Sequence, residues 1–117
     1  MKSKFLGTYQ KGILAEIYAA FYLVFLKNFR MRSWRYKTPV GEIDLVMRSG
    51  NTIIFVEVKC RPSRDEGVSC VTQKMQSRIA RAAQYYMAGN AGGEIADLRF
   101  DVVVVSGFRV WHLDNAW

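Results

Sequence analysis

Three charged side chains lie inside two sequence segments that otherwise consist largely of β-forming apolar residues. Asp44 is in the first segment, and Glu57 and Lys59 are in the second. An ionised group in an apolar strand is costly to desolvate unless it is paired or binds a metal. Charges in such a setting are more typical of a functional site than of a core. These three residues are therefore the first candidates for catalysis.

Side chains alternate across a strand, and this alternation groups the charged residues. In the second segment Glu57 and Lys59 share one face, and in the first segment Asp44 shares a face with Glu42 and Val46. A short glycine-containing loop between the segments suits a hairpin. The usual hairpin register brings Asp44 beside Glu57.

The pairing of Asp44 with Glu57 implies a bound cation. Two carboxylates at neighbouring sheet positions repel each other unless a cation lies between them. Oxygen donors without a cysteine or histidine cluster suit Mg²⁺ or Mn²⁺ rather than zinc. Such an ion polarises a phosphoryl oxygen and lowers the pKa of an attacking water, which Lys59 can orient. This constellation indicates a phosphodiesterase site.

A simpler interpretation of Glu57 is a solvated ion pair with Lys59 or Arg61 at the edge of a strand. For an isolated Glu-x-Lys sequence, such a pair is far commoner than catalysis. The nearby Asp44 and the apolar setting of both carboxylates favour a site.

Glu16 is a fourth candidate. It is the only acidic residue among the first 40, and it lies in the most hydrophobic segment of the chain. A buried carboxylate without a partner is costly. Two interpretations stay open: Glu16 pairs with a basic residue, or it reaches the metal directly or through water.

The elements that position these residues can be predicted from periodicity and turn signals. They follow the order α-β-β-β-α-β-β, which indicates a mixed β-sheet flanked by α-helices in one domain over residues 1–117. The segment 61–70, which contains Pro62 and Gly67, is predicted to be a loop. The predicted helices span 9–29 and 72–88, and the predicted strands span 31–37, 43–48, 52–60, 100–106 and 109–113.

Composition narrows the class of protein. Half of the 117 residues are hydrophobic, and the formal net charge is +7. The chain has two cysteines, which suit reduced thiols in a cytoplasmic protein. The longest apolar run, 13–26, is too short for a membrane span, so we expect no membrane partner. The near-complete hydrophobicity of the first helix predicts burial on most of its sides.

Basic residues near the motifs are candidates for contact with nucleic acid. Lys74, Arg78 and Arg81 recur at helical spacing, and Arg32 and Arg35 interleave with aromatic residues. A basic domain whose acids cluster around one motif is typical of a protein that binds a phosphate backbone. A solvated helix surface and an edge strand guarded by charge are the alternatives.

Two further polar residues are predicted to have structural roles. His112 is the lone histidine of the chain, and such a residue in a terminal strand is more often structural than a catalytic base. Asp101 begins a Val-rich strand, where we expect a structural hydrogen bond or salt bridge.

Taken together, the motifs resemble those of the PD-(D/E)xK nucleases in the restriction-endonuclease-like superfamily, although the Pro of that name is absent beside Asp44. More specifically, the chain resembles the YraN-like family of predicted bacterial endonucleases, which are similar to archaeal Holliday-junction resolvases. The resemblance covers nearly the whole length. It is carried by Gly12-x-x-Ala15-Glu16-x-x-Ala19, Val40-Gly41-Glu42-Ile43-Asp44-Leu45-Val46, Phe55-Val56-Glu57-Val58-Lys59, Val71-Thr72, Gln76, Arg99-Phe100-Asp101-Val102-Val103 and His112-Leu113-x-Asn115-Ala116-Trp117.

This resemblance implies a restriction-endonuclease-like fold and a metal-dependent endonuclease that acts on DNA, with branched or flapped DNA as a substrate by analogy with the resolvases. It admits a homodimer, because resolvase-like enzymes tend to work as dimers, although the sequence shows no interface signature. The implied catalytic residues are Asp44, Glu57, Lys59, Glu16 and Gln76. The implied metal ligands are Asp44, Glu57, Glu16 and the Val58 carbonyl.

Two other functions stay open. A catalytically inactive domain on the same fold would bind nucleic acid in a salt-dependent way that is indifferent to divalent metal. A protein-interaction domain would need an exposed apolar patch, which a sequence alone does not reveal.

Overall fold

Five strands and three helices form the part of the chain that the computed structural model describes, residues 7–90 and 97–117. The predicted class, a mixed sheet flanked by helices, is confirmed, as is the order of the five strands and two long helices. The elements are α1 (Thr8–Phe25), β1 (Arg30–Thr38), β2 (Gly41–Ser49), β3 (Thr52–Cys60), α2 (Arg64–Ser69), α3 (Gln73–Asn90), β4 (Asp97–Ser106) and β5 (Arg109–Leu113).

The sheet has the spatial order β1-β2-β3-β4-β5. Strands β1, β2 and β3 form an antiparallel meander, whereas β4 runs parallel to β3 and β5 runs antiparallel to β4. Parallel neighbours need a long crossover connection, and here the connection contains α2 and α3. The strand that carries Glu57 and Lys59 is therefore central in the sheet.

Two clusters of apolar side chains hold the long helices against the sheet. We call them the α1 cluster and the α3 cluster. The α1 cluster is built around Ala15, Ala19, Leu23, Leu45, Met47, Ile54, Val56, Val58 and Val103. The α3 cluster is built around Ile43, Val46, Ile53, Phe55, Ile79, Ala82, Ala83 and Tyr86.

The prediction of a loop over 61–70 is wrong, because the short helix α2 lies within it. Ser63 caps this helix by accepting a hydrogen bond from the Glu66 N–H at 3.2 Å. A Cβ atom at Gly67 would lie 2.5 Å from a methyl group of Val104, so glycine allows α2 to pack against β4. Gly67 is therefore not a loop signal: it is the residue at which α2 packs closely against β4.

The prediction that the first helix is buried on most sides is also wrong. Helix α1 ends at Phe25 rather than near Phe29, and Asn28 turns the chain with a φ of 63°. The sheet covers one side of α1, where Ala19 and Leu23 are fully buried. Large apolar residues on the opposite side are exposed.

Candidate active site

Strand β1 breaks its alternation beside the candidate site. Arg35 has a φ of 55°, in the left-handed region that residues other than Gly, Asn and Asp rarely occupy. Trp34, just before the break, hydrogen bonds to α1, whereas Tyr36, just after it, packs against Tyr86 of α3. Residues two apart, which share a face in a regular strand, therefore point to opposite faces.

Strand β2 has a matching break at Asp44. Ile43 packs in the α3 cluster, whereas Leu45 packs in the α1 cluster. Val46 packs in the α3 cluster like Ile43, so the strict alternation that we predicted for Glu42, Asp44 and Val46 is wrong. The carboxylate of Asp44 is directed instead toward the backbone of β3.

The hairpin register is confirmed. The regular ladder ends with the pair Leu45 and Val56, and Asp44 and Glu57 are the next residues of the two strands. Their side chains are close enough that each affects the pKa of the other. At that point the Asp44 side chain replaces a main-chain acceptor, because its Oδ2 accepts a hydrogen bond from the Val58 N–H at 2.9 Å. Asp44 and Glu57 therefore lie beside each other just past the end of the ladder.

Glu57 is buried and Asp44 is half-buried, and the pKa of each carboxyl group is raised. Burial, followed by the charge of Glu57, raises the pKa of Asp44 to about 8, against the opposing effect of the Val58 N–H. Burial also raises the pKa of Glu57, whereas the charge of Lys59 lowers it. A cation bound between the carboxylates would relieve both effects.

Lys59 is the nearest described cation of this pair. Its Nζ atom lies 3.3 Å from Oε2 of Glu57, and its side chain is 14% exposed. Because Glu57 is buried and β3 is central, the interpretation as a solvated pair at a strand edge does not fit. Because Lys59 carries a single positive charge, it can neutralise one of the two carboxylates at most.

Glu16 pairs with a basic residue, which is one of the two interpretations left open by the sequence. Its carboxylate accepts hydrogen bonds from Arg35 Nε at 3.0 Å and from Trp34 Nε1 at 2.9 Å. Its charge is nonetheless near enough to raise the pKa of Asp44 and Glu57. Within residues 7–90 and 97–117, no three His, Cys, Asp or Glu side chains are grouped so that they could hold a metal.

The donor set fits a hard divalent ion with two protein carboxylates. Asp44 and Glu57 offer oxygen donors, and Mg²⁺ commonly keeps several waters and takes one or two carboxylates from the protein. The backbone of Val58, whose N–H bonds to Asp44, lies at the same place. In this conformation Glu16 remains outside that donor set, beside Arg35 and Trp34.

The other predicted site residues lie on α3 or β1. Gln76, in the first turn of α3, donates from Nε2 to the Val71 carbonyl at 3.2 Å. Arg78 lies against Gly41, where a Cβ atom would be 2.9 Å from its Cγ, so α3 begins close to the start of β2. Lys74 and Arg81 are exposed on the same helix.

On β1, Arg32 and Arg35 already have partners in the protein. Arg32 Nε donates to the Tyr86 hydroxyl at 3.2 Å, and Arg35 binds Glu16. The role of Trp34 as a second donor to Glu16 was missed. The aromatic residue next to Arg35 was the available signal, but the mixture of basic and aromatic residues was interpreted as a surface for contact with nucleic acid.

With this geometry defined, comparisons with known proteins place the chain in a family. The profile of the uncharacterised protein family UPF0102 matches residues 15–105. The chain belongs to the UPF0102 family. This assignment agrees with the YraN-like resemblance of its motifs, and the matched region contains Glu16, Asp44, Glu57 and Lys59.

Relatives within UPF0102 are similar over most of their length. A UPF0102 protein of Rhodopseudomonas palustris (strain HaA2) is 41% identical over 112 residues, which cover 95% of this chain and 87% of the relative. One from Bradyrhizobium diazoefficiens is 43% identical over 86% of this chain and 74% of the relative. One from Parvibaculum lavamentivorans is 40% identical over 96% and 84%, respectively.

A helix that crosses a bilayer needs about 20 consecutive, predominantly apolar residues. Among the residues that the structure describes, no helix is both long and apolar enough to cross a membrane.

Proposed function

We propose that this chain is a metal-dependent endonuclease that hydrolyses phosphodiester bonds in DNA. The observation that carries the proposal is the pair Asp44 and Glu57, a half-buried and a buried carboxyl group side by side on adjacent strands, with raised pKa values and Lys59 next to them. For packing alone, this arrangement is unfavourable. Perturbed carboxyl groups with a specific charged partner are typical of catalytic sites.

In the proposed site, Asp44 and Glu57 hold Mg²⁺ or Mn²⁺, together with the Val58 carbonyl. When bound, such an ion polarises a phosphoryl oxygen and makes a bound water more acidic. The Val58 N–H fixes the orientation of the Asp44 carboxylate. Because this hydrogen bond holds Oδ2 of Asp44, it also fixes the direction of Oδ1, the oxygen that remains for the ion.

Lys59 acts on the water and on the phosphate. Its amino group, 3.3 Å from Glu57, is close enough to orient a water beside that carboxylate. It also places a positive charge where negative charge develops on the phosphate in the transition state. Glu16 contributes through its negative charge or through an intervening water, and Gln76 remains a proposed polar residue of the site wall.

DNA is the proposed partner because the basic residues are concentrated on elements that adjoin the site. Lys74, Arg78 and Arg81 lie on α3, whose first turns pack near the start of β2. Contacts of this kind fix the position of a phosphate backbone without reading its sequence. Arg32 and Arg35 of β1 are proposed to extend this surface, and branched or flapped DNA remains the proposed substrate.

Cleavage assays with matched variants test this function. Purified protein is incubated with linear, flapped and four-way-junction DNA in Mg²⁺, in Mn²⁺ and in EDTA. We expect metal-dependent cleavage that falls by about a thousandfold or more in Glu57→Ala, because the ion loses a ligand. Glu42→Ala, which removes an exposed carboxylate from β2, should retain activity. Equal activity in the wild type and Glu57→Ala would overturn the assignment.

A second candidate is a nucleic-acid-binding domain that does not cleave. It is favoured by one observation, the occupation of the Glu16 carboxylate by Arg35 and Trp34 rather than by the donor set of Asp44 and Glu57. It predicts DNA binding that weakens with salt, is indifferent to Mg²⁺ and survives Asp44→Ala. Metal-dependent binding that is lost in Asp44→Ala would contradict it.

A further inference from the structure

The outer side of α1 carries large apolar residues that no described part of the chain covers. They recur every three or four residues and so form one stripe along the helix. Phe25 is 70% exposed, Phe21 is 57% exposed, and their rings stack with centroids 5.5 Å apart. The full stripe consists of Leu14, Ile17, Tyr18, Phe21 and Phe25.

A hairpin tip extends this stripe. Phe108, in the turn between β4 and β5, is 92% exposed. The Tyr18 hydroxyl donates to the Phe108 carbonyl at 2.8 Å, which fixes the turn against α1. Between them lies an apolar groove of about 520 Å³, whose wall includes Leu14 and Phe21. Stripe, groove and Phe108 together form a surface that we call the α1 face.

The area of the α1 face is close to that of one side of a stable interface. If a fully exposed large side chain offers roughly 200 Å², the exposed fractions of the five stripe residues and Phe108 together correspond to roughly 700 Å². The largest apolar patch on a typical monomer is about 300–600 Å². A standard interface buries about 800 Å² on each partner.

The charge pattern of the α1 face narrows the partner. From Gly12 to Leu26 the sequence contains one charged residue, Glu16, and this residue is buried and bound to Arg35. Lys11, at one end of the groove, is the charged residue of its wall, whereas the stripe itself and Phe108 carry no charge. Most of the α1 face therefore offers little to a phosphate backbone or to an acidic protein. It does match a second apolar surface of the same kind.

We propose that the α1 face is the interface between two copies of this chain. In a twofold dimer the same patch serves both partners, so an uncharged stripe is self-complementary. An α1 helix of 18 residues is about 27 Å long, enough for two stripes to pack along several turns. Phe108 of each copy then covers apolar surface of its partner.

This interface would place two candidate sites in one assembly, a consequence that rests on the proposed nuclease function. Ala15 lies in the wall of the groove, and the next residue is Glu16. A smaller groove that includes Phe21 also has Glu16 and Trp34 in its wall. Association would thus fix the helix that presents Glu16, and two sites could act on two strands of one DNA.

Mass measurement by light scattering and sedimentation velocity tests the interface without any assay of activity. We expect the wild type to have twice the mass of one chain at micromolar concentrations. Phe21→Glu and Phe108→Glu should each raise the dimer dissociation constant by about a hundredfold or more, because each buries a charge. Tyr85→Glu is the matched control: this aromatic residue on α3 is 48% exposed but lies outside the α1 face, so the variant should remain dimeric.

The outcomes separate this inference from the nuclease proposal. A lower helical circular dichroism signal in Phe21→Glu would mean that this variant disturbs α1 itself. In that case the result for Phe108→Glu decides, because Phe108 lies in an exposed turn. A wild type that is monomeric at micromolar concentrations would overturn the interface, whether it stays free or sediments with anionic lipid vesicles. A dimer that is unaffected by Phe108→Glu and Phe21→Glu would also overturn it. A dimer without nuclease activity would support the interface and contradict only the nuclease function.

Discussion

Two regions of this sheet each contain an aspartate, and the pKa values of these two aspartates are shifted in opposite directions. Asp101 of β4 is fully buried and accepts four hydrogen bonds: two from Arg99, at 2.8 and 2.9 Å, one from the Asn115 N–H at 2.9 Å, and one from His112, whose Nε2 lies 2.7 Å away. Burial raises the pKa of Asp101, but the hydrogen bonds from His112 and Arg99 outweigh burial and hold it below its ordinary value. This carboxylate is stable as an anion.

Asp44 of β2 has far less compensation. It accepts one described hydrogen bond, from Val58, and faces a second carboxyl group, Glu57. Asp44 is half-buried whereas Asp101 is fully buried, so the raised pKa of Asp44 does not come from deeper burial but from the smaller set of donors and the neighbouring carboxyl group. A buried carboxylate with a full set of donors acts as a structural anchor, whereas a pair of carboxyl groups with an incomplete set is the arrangement that we propose binds a cation.

The largest expected effect on stability concerns Asp101. Asp101→Ala should lower the free energy of unfolding by about 3–5 kcal/mol, because Arg99 and His112 lose the acceptor that compensates their burial. Urea denaturation followed by circular dichroism measures this loss. A change below about 1 kcal/mol would show that the network is not an anchor. Asp97→Ala, at an exposed position in the same strand, is the control.

The next effect is a gain in stability, whereas Asp101→Ala causes a loss, and it depends on pH. The pKa of Asp44 is about 8 in the folded chain, against about 3.9 in an unfolded one, so the folded state binds the extra proton between these values. Its contribution to stability is complete below about pH 4 and is lost as the pH rises through about 8. Without metal, Asp44→Asn should therefore raise the Tm at pH 8 by about 5 °C or more.

This pH dependence distinguishes the two aspartates directly. The pKa of Asp101 is lowered, so its contribution to stability is present above about pH 4 and is lost as the pH falls. Between pH 4 and pH 8 in EDTA, the wild type loses the stabilising proton of Asp44, whereas Asp44→Asn has no such proton to lose. The melting temperature of the wild type should therefore fall relative to that of Asp44→Asn as the pH rises. Parallel profiles for both proteins would contradict the raised pKa of Asp44.

A smaller effect is expected at the break in β1. Arg35→Ala removes the partner of Glu16 and keeps a side chain at a φ of 55°, whereas Arg35→Gly removes the partner and relieves the backbone. The glycine variant should be more stable than the alanine variant by about 1 kcal/mol. Equal melting curves for the two variants would show that the left-handed conformation at Arg35 carries no strain.

Much of the site was predictable from the sequence because it depends on short-range rules. The hairpin register that sets Asp44 beside Glu57 follows from a short loop and two apolar strands. The structural role of Asp101 was predicted from its place at the start of a Val-rich strand, and its contacts with Arg99 and His112 confirm it.

Other features depend on tertiary context that a single sequence does not contain. An arginine rarely adopts a positive φ, so nothing in the sequence predicted the break at Arg35. Pairing of Glu16 with a basic residue was one of the two interpretations, but the sequence did not identify Arg35 as that residue. The hydrophobicity of α1 predicted burial, but burial needs a second layer of structure. The hydrophobic residues on the outer side of α1 are exposed in the described part of the chain, and we propose that a second copy covers them.

The central claim, that Asp44 and Glu57 form a divalent metal site, is tested most directly by calorimetric titration of Mn²⁺ into metal-free protein at pH 8. We predict saturable binding to the wild type and to Glu42→Gln, and binding weakened at least about tenfold in both Asp44→Asn and Glu57→Gln. Glu42 is the matched control because its carboxylate is exposed on the same strand as Asp44. Absence of binding to the wild type, or equal binding to all four proteins, would contradict the claim.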